Sequence, residues 1–295
     1  MTGFVLRIIA MTTMLIDHIG WNFIDNPMIL TWIWRIAFPC YAFLLAEGFF
    51  FVFNEKRRLL KHISTLILLA VISEPCFDLL EFGPNVLTNF MESQSVMITL
   101  LLWFLWMSIT ELLLPSSSEH KDKLSWSSIK EFLFSSKREI NDEWEKINWN
   151  WKTILVLVCA YLLIGFTNYT MSANFNFVGP LLVIAFYWFL RASRDPKTNK
   201  NMWSWFKRFA ILLLIFVIYI PIYFWAKTKF CDFDTWVDTL YKYIPWIIGH
   251  AFAALVLSLY NGQLGYHKGW FKRLYISFYP LHACFIGIIR VITGS

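Results

Sequence analysis

Two residues near the start of the chain, Arg7 and His18, have side chains and a spacing that suit group-transfer chemistry. They lie eleven residues apart in an apolar run, which on an α-helix corresponds to about three turns, or roughly 16 Å along the axis. Eleven steps of about 100° leave both side chains on nearly the same helix face. Arginine favours bidentate phosphate contacts, and an imidazole transfers protons near neutral pH. The pair therefore predicts a site where a phosphorylated carrier binds at Arg7 and extends its arm to His18.

Other ionisable residues also interrupt apolar segments, where charged groups are costly and by default mark function. Each of them could instead be a polar clamp between helices, and Arg7 could be a charge that only sets membrane topology. These further residues are Asp17, Arg35, Glu47, Glu74, Asp78, His250, His282 and Arg290.

The composition of the chain shows what kind of structure must position these side chains. Of its 295 residues, 58% are hydrophobic and only 16% are charged, whereas soluble domains carry about 25% charged residues. This excludes a water-soluble globular enzyme, and the low charge excludes a disordered chain. Aromatic residues make up 19%, which suits lipid contact and interfacial anchoring. The composition predicts an all-α, polytopic transmembrane helical bundle.

A bilayer core requires about 20 apolar residues per helix, and this length predicts about nine spans, with eight to ten compatible with the pattern. We treat residues 1–295 as a single domain that contains a hydrophilic insert at 115–151. The predicted spans are 4–24, 31–53, 59–80, 95–114, 152–168, 175–190, 208–226, 243–260 and 272–292.

The direction of the spans follows from the basic residues between them. Twenty Lys and Arg residues lie in or at the edges of the second, fourth, sixth and eighth connections, and three lie in the alternate ones. Because connections rich in Lys and Arg stay in the cytoplasm, this asymmetry predicts a cytoplasmic N-terminus.

The five cysteines show no spacing typical of a metal site or of a redox motif. All but Cys231 lie inside apolar runs, where a thiol usually packs as a small hydrophobic group. We therefore expect neither a metal site nor a disulfide from the cysteine pattern.

Short blocks of sequence, spread in order over nearly the whole chain, resemble a known family. They include Leu6-Arg7-Ile8, Ile16-Asp17-His18, Ser73-Glu74-Pro75 and Tyr279-Pro280-Leu281-His282, and they extend over 6–20, 35–49, 72–79, 259–262 and 278–282. These blocks resemble the TraX family. The arginine and the histidine of the first span, with ten residues between them, also resemble the wider acyltransferase-three superfamily of membrane acyltransferases.

The resemblance implies a membrane acyltransferase in the bacterial cytoplasmic membrane. TraX proteins are associated with acetylation of the pilin N-terminus, and the superfamily moves acyl groups, often acetyl from acetyl-CoA, to acceptors outside the membrane. The expected donor is acetyl-CoA, with no metal. The expected partners are membrane lipids and an acceptor such as a pilin-like protein, a glycan or a small molecule, with no nucleic acid.

Given that chemistry, His18 is the candidate general base or transient acyl carrier, because the attacking amine or hydroxyl must lose a proton. Asp17, Glu74 and His282 complete the catalytic candidates as groups that could orient or support it. The candidate donor-binding residues are Arg7, Arg35, Glu47, Asn261 and Tyr279, of which Arg7 would bind a CoA phosphate. Asn261 could instead cap a helix.

Two other functions remain open at the level of sequence. A proton-coupled transporter could use Asp17, Glu74 and the intramembrane histidines as a proton relay. A non-catalytic membrane assembly subunit could use the same residues only to hold its helices together.

Overall fold

The computed structural model of the chain describes residues 1–24, 28–53, 55–87, 94–113, 158, 161–162, 178–193, 203–228 and 247–293. These residues form helices joined by turns, and none of them lies in a β-strand. A 3-10 turn, Gly83–Asn85, extends the third helix. The α-helices are α1 (Gly3–Phe23), α2 (Met28–Val52), α3 (Lys56–Phe82), α4 (Val96–Leu113), α5 (Val178–Ser193), α6 (Trp205–Thr228), α7 (Ile247–Ser258) and α8 (Gly269–Thr293).

These helices coincide with eight of the nine predicted spans. The fifth predicted span, 152–168, lies outside the described residues except for three helical positions, Val158, Tyr161 and Leu162. The predicted hydrophilic insert at 115–151 also lies outside them. The prediction of an all-α transmembrane bundle is confirmed, and the direction of its spans stays a prediction.

The length of several helices and the apolar character of their exposed faces both suit a membrane. Helices α1, α3 with its 3-10 extension, and α8 are each long and apolar enough to cross a bilayer. Their outward faces carry large apolar side chains, such as Val71 on α3 and Phe285 on α8, which are both 66% exposed. Because a wide apolar surface is unfavourable in water, these faces fit contact with hydrocarbon.

Helix α1 lies against both α2 and α8, and α8 lies in turn against α3. Helix α2 also packs on α4 and α5, around a core of buried aromatic rings. Phe43 and Phe49 of α2 contact Phe186, Phe104 and Tyr187 edge to face, an arrangement that aromatic pairs favour. The aromatic core fixes α2, and α1 packs against α2.

The start of α1 is tied to the loop that precedes α8. The Gly3 N–H donates to Gln263 O at 2.7 Å, and the Phe4 N–H donates to Leu264 O at 3.0 Å. Gly265 follows with a φ of +68°, and a Cβ there would lie 2.5 Å from Thr2 Oγ1, so this contact requires glycine. These bonds fix the axial register between α1 and α8.

An ion pair joins α4 to α5. The Arg191 guanidinium contacts the Glu111 carboxylate and donates to the Tyr187 hydroxyl at 2.7 Å, while Tyr187 donates to Glu111 at 2.6 Å. A poorly exposed charge pair is tolerated when further hydrogen bonds satisfy it. This clamp is structural, and it illustrates the interhelical role that other ionisable residues of the bundle could have.

Candidate functional site

His18 of α1 and His282 of α8 meet directly. The His18 Nδ1 atom lies 2.8 Å from His282 Nε2, and the two rings are stacked with an interplanar angle of 12°. The second nitrogen of His282, Nδ1, lies 2.7 Å from the backbone oxygen of Phe278. The structure thus joins two of the predicted catalytic residues into one hydrogen-bonded chain.

Donor and acceptor matching assigns the protons of this chain when both rings are neutral. A backbone oxygen can only accept, so His282 Nδ1 carries hydrogen and donates to Phe278 O. His282 Nε2 is then an acceptor, and His18 Nδ1 must donate to it. The remaining nitrogen, His18 Nε2, keeps its lone pair and can act as a base.

Asp17 is close to that free nitrogen. Its Oδ2 atom lies 3.8 Å from His18 Nε2, too far for a hydrogen bond but close enough for charge attraction. When His18 Nε2 takes up a proton, the resulting imidazolium lies beside this poorly exposed carboxylate. Attraction between opposite charges is much stronger there than in water. The two side chains make this approach although Asp17 and His18 are neighbours in sequence and lie about 100° apart around the helix.

Asn22 lies one turn beyond His18 on α1, and sequence reasoning missed it. Its Nδ2 atom donates to the backbone oxygen of His18 at 2.8 Å, which fixes the orientation of the amide. Its Oδ1 atom is buried without a hydrogen-bond partner. Leaving a buried acceptor unpaired is costly, so this atom is a ready binding point for an N–H or O–H group. The i, i+4 spacing from His18 is the signal that could have revealed it. We refer to Asp17, His18, Asn22 and His282 as the His18 cluster.

Arg7 lies near the other end of α1. Its guanidinium carbon is 5.5 Å from the centre of the Tyr275 ring, in a cation–π arrangement. Tyr275 stacks on Tyr41 of α2 with ring centres 5.9 Å apart. The Tyr41 hydroxyl is buried and has no hydrogen-bond partner. A basic side chain, aromatic faces and an unsatisfied hydroxyl are therefore grouped at this end of the site.

Glu47 of α2 joins the same group. It is buried and accepts a hydrogen bond from the Tyr260 hydroxyl, and it lies within electrostatic range of Tyr275. The three tyrosines, at positions 41, 260 and 275, were not among the predicted site residues, because aromatic residues are too frequent in this chain to stand out. We refer to Arg7, Tyr41, Glu47, Tyr260 and Tyr275 as the Arg7 cluster.

Arg7 and His18, one from each cluster, lie on one stripe of α1. Helix α1 is unbroken from Arg7 to His18, and both side chains contact α8, at Tyr275 and His282 respectively. Tyr275 and His282 are seven residues, or about two turns, apart on their own helix. The helical stripe that the sequence predicted therefore contacts α8 at both of its ends.

Tyr279 packs beside the His18 cluster, and Glu74 joins α3 to the start of α4. Both carboxylate oxygens of Glu74 lie within hydrogen-bond reach of the Ser95 N–H, just before α4, at 3.1 and 3.4 Å. Tyr279 is buried and meets the His282 ring edge to face, with centres 5.7 Å apart. These contacts give Glu74 a clamping geometry between α3 and α4, and they give Tyr279 a packing contact with His282.

Two further donor-binding residues, Asn261 and Arg35, were predicted from the sequence. Asn261 is exposed in the loop between α7 and α8, where its Oδ1 atom accepts from the Gln263 N–H at 3.1 Å. This is the local turn contact that asparagine commonly makes. Arg35 lies in α2, and its side chain is outside the described part of the structure. Within that described part, no group of three or more His, Cys, Asp or Glu residues could hold a metal ion.

Comparison with known proteins found a family match for the first part of the chain. A family model described as TraX protein matches residues 2–116, a segment that includes α1 to α4. The match confirms the resemblance to the TraX family over this segment, which holds Arg7, Asp17, His18 and Glu74. No curated protein and no solved structure matches the chain.

Proposed function

We propose that this chain, similar to the TraX family over residues 2–116, is a multi-pass acetyltransferase of the cytoplasmic membrane that uses acetyl-CoA as its donor. The TraX family is associated with pilin acetylation. The observation that carries the proposal is the hydrogen bond from His18 Nδ1 to His282 Nε2, because it leaves His18 Nε2 free to act as a base. An acceptor with an amine or a hydroxyl group requires such a base.

His18 is the catalytic residue of this mechanism. Its Nε2 atom takes the proton from the acceptor nitrogen or oxygen as that atom forms its bond to the acetyl carbon. The carbon–sulfur bond then breaks, and His18 returns the proton to the departing sulfur. A thioester supplies a carbonyl carbon that is open to this attack. A positioned base of this kind typically contributes about 10²–10⁴-fold in rate.

His282 and Asp17 assist His18 in different ways. His282 holds the His18 ring in the tautomer that exposes Nε2, and Phe278 O holds His282 in turn. Asp17, at 3.8 Å, stabilises the positive charge that His18 carries between the two proton transfers. Asn22 Oδ1 is available to accept a hydrogen bond from the acceptor, which would orient its nucleophilic atom beside Nε2.

The Arg7 cluster is the proposed binding site for the donor. Arg7 suits a phosphate group, because its planar fork of N–H donors matches phosphate oxygens. The Tyr41 hydroxyl, buried and without a partner, is available to donate to the donor. The axial distance of about 16 Å from Arg7 to His18 is the span that the extended arm with the thioester must bridge. Arg35 and Asn261 stay as donor-binding candidates from the sequence alone.

The direction of transfer follows from the predicted topology. With a cytoplasmic N-terminus, Arg7 lies at the cytoplasmic mouth of α1 and His18 lies beyond the midplane. The donor then enters from the cytosol, and the acceptor reaches His18 from the outer side. This division fits an acceptor at or beyond the membrane, such as a pilin-like protein, a glycan or a small molecule.

The test is acetyl transfer by purified protein in liposomes. Radiolabelled acetyl-CoA would be supplied with a peptide that has a free N-terminal amine, and the same peptide with a blocked amine serves as the acceptor control. We expect label in the free-amine peptide and at least a hundredfold loss with His18→Ala. The matched control is His267→Ala, because His267 is an exposed loop histidine that should leave the rate unchanged. Equal transfer by His18→Ala and the unsubstituted protein would overturn the assignment.

A further inference from the structure

Two thiols that the proposed mechanism does not use meet between α3 and α8. The Sγ atoms of Cys76 and Cys284 are 2.6 Å apart, and both residues are free cysteines. They are 208 positions apart in the sequence, so no rule of cysteine spacing could pair them. We propose that Cys76 and Cys284 are a redox-active pair, which a disulfide-bearing oxidant converts into a covalent bond between the two helices.

The backbones of α3 and α8 approach closely enough for such a bond. At Gly287, one turn beyond Cys284, an added Cβ would lie 2.8 Å from the backbone carbonyl carbon of Leu79. Only a residue without a side chain permits this contact. A disulfide requires Cα atoms about 4.4–6.8 Å apart, and the contact at Gly287 holds the two helices close together one turn from the two thiols.

The surroundings of the pair show which thiol an oxidant meets first. Cys76 is buried, together with Leu80, Ala283 and Ile286, in a small apolar cluster that is separate from the main core. Cys284 is half-buried at the edge of this cluster. The oxidant therefore reacts at Cys284, and Cys76 is the resolving thiol beside it.

The reaction balances as a thiol–disulfide exchange. The Cys284 thiolate attacks one sulfur of an R–S–S–R oxidant, so that a mixed disulfide forms and RS⁻ leaves. The Cys76 thiolate then attacks Cys284 Sγ, forms the Cys76–Cys284 bond and expels the second RS⁻. The two thiol protons end on the two RSH products. The protein loses two electrons, and the oxidant gains them.

The location of the pair gives the bond a structural effect. Cys76 lies two residues after Glu74, and Cys284 lies two residues after His282. A covalent link would hold this turn of α8 against α3, directly beside the His18 cluster. With the predicted topology, Cys76 is about 30 Å along α3 from its cytoplasmic start at Lys56. That places the pair toward the outer face, where disulfides form and persist.

Peptide mapping tests the proposal without reference to acetyl transfer. Membranes that contain the full chain would be treated with 4,4′-dithiodipyridine, a membrane-permeant disulfide, and the remaining thiols would be alkylated before digestion with trypsin. Cys76 lies in the fragment 62–121 and Cys284 in the fragment 274–290, and each of the other three cysteines falls in a different fragment. We expect the fragments 62–121 and 274–290 to be joined, and a phosphine reductant to separate them.

A matched control moves one thiol by a single position. In the double variant Cys284→Ala, Phe285→Cys, the new thiol replaces a side chain that is 66% exposed and lies about 100° further around α8. We expect this variant to give separate thiopyridyl adducts and no joined fragments. The proposal is overturned if the unsubstituted protein also gives separate adducts or alkylated thiols at Cys76 and Cys284. It is equally overturned if the control variant cross-links to the same extent.

Discussion

His18 and His282 are 264 positions apart in the sequence, yet His18 Nδ1 lies 2.8 Å from His282 Nε2. This hydrogen bond joins the first helix of the bundle to its last. Because Phe278 O accepts from the other nitrogen of His282, the bond leaves only one nitrogen of the pair, His18 Nε2, with a free lone pair. In the proposed mechanism, this contact makes His18 the base and His282 the residue that positions it.

Loss of His282 should lower the rate of acetyl transfer and leave donor binding intact. Without Nε2 of His282, nothing on α8 holds the proton at His18 Nδ1, and the imidazole exchanges between tautomers. We expect His282→Ala to lower kcat by about a hundredfold with an unchanged KM for acetyl-CoA. In His282→Gln the side-chain oxygen can accept from His18 Nδ1, so this variant should recover part of the rate. If kcat falls equally in His282→Ala and His282→Gln, His282 does not act by positioning His18.

Arg7 should act on donor binding rather than on chemistry. We expect Arg7→Ala to raise the KM for acetyl-CoA about tenfold or more, since a charge-assisted contact contributes roughly 1.5–3 kcal/mol, with a smaller effect on kcat. The KM of Arg7→Lys for acetyl-CoA should lie between those of the unsubstituted protein and Arg7→Ala, because an ammonium group keeps the charge but lacks the bidentate fork of N–H donors. Arg58 provides a matched control, since it is a basic residue paired with Glu55 at the exposed start of α3. If Arg58→Ala raises the KM as much as Arg7→Ala, the effect reflects overall charge and not a site.

Substitution of Tyr41 should change donor binding without changing the stability of the fold. Its hydroxyl is buried and makes no hydrogen bond, so Tyr41→Phe removes no internal interaction and should change the unfolding free energy by less than about 1 kcal/mol. If this hydroxyl donates to acetyl-CoA, the same variant raises the KM for the donor. Thermal unfolding in detergent and initial rates at varied acetyl-CoA would be measured on the same preparation. An unchanged KM would remove Tyr41 from the donor site.

Asn22 should affect the acceptor and not the donor. Its Oδ1 atom is buried without a partner one turn beyond His18, on the side from which the acceptor is expected. We expect Asn22→Ala to raise the KM for the free-amine peptide severalfold, with little change in the KM for acetyl-CoA. Asn22→Gln retains the amide at a different reach and should recover less than half of the loss. If Asn22→Ala raises only the KM for acetyl-CoA, Asn22 contacts the donor and the prediction is wrong.

Glu74 should prove to be a clamp that depends on hydrogen bonding more than on charge. Its carboxylate accepts from the Ser95 N–H ahead of α4, as a capping residue does at a helix N-terminus. We expect Glu74→Ala to lower the unfolding free energy by about 1 kcal/mol, and Glu74→Gln to retain most of the stability and the transfer rate. Thermal unfolding together with acetyl transfer would decide this. A catalytic role for the Glu74 charge would instead show as a large rate loss in Glu74→Gln with unchanged stability.

Much of the bundle could be predicted from the sequence, because helix length and apolar character are local properties. The apolar runs predicted the positions of α1 to α8, and the helical repeat placed Arg7 and His18 on one face. Contacts between helices could not be predicted in this way, because they depend on how separate spans pack. The role of Asn22 could not be predicted for a related reason. Whether its amide oxygen lacks a hydrogen-bond partner depends on which residues of other helices surround it.

The sequence by itself determined that this chain is a membrane bundle, and it determined which few polar residues the bundle contains. Burial of apolar surface and the 3.6-residue repeat dictate both, and neither requires a partner far along the chain. Only the tertiary structure decided that His18 faces His282, that Arg7 faces Tyr275 and that Cys76 meets Cys284. Each of these contacts depends on the rotation and axial register of α8 against α1 and α3. That register is set by the backbone bonds from Gly3 and Phe4 to the loop before α8 and by the close contact at Gly287.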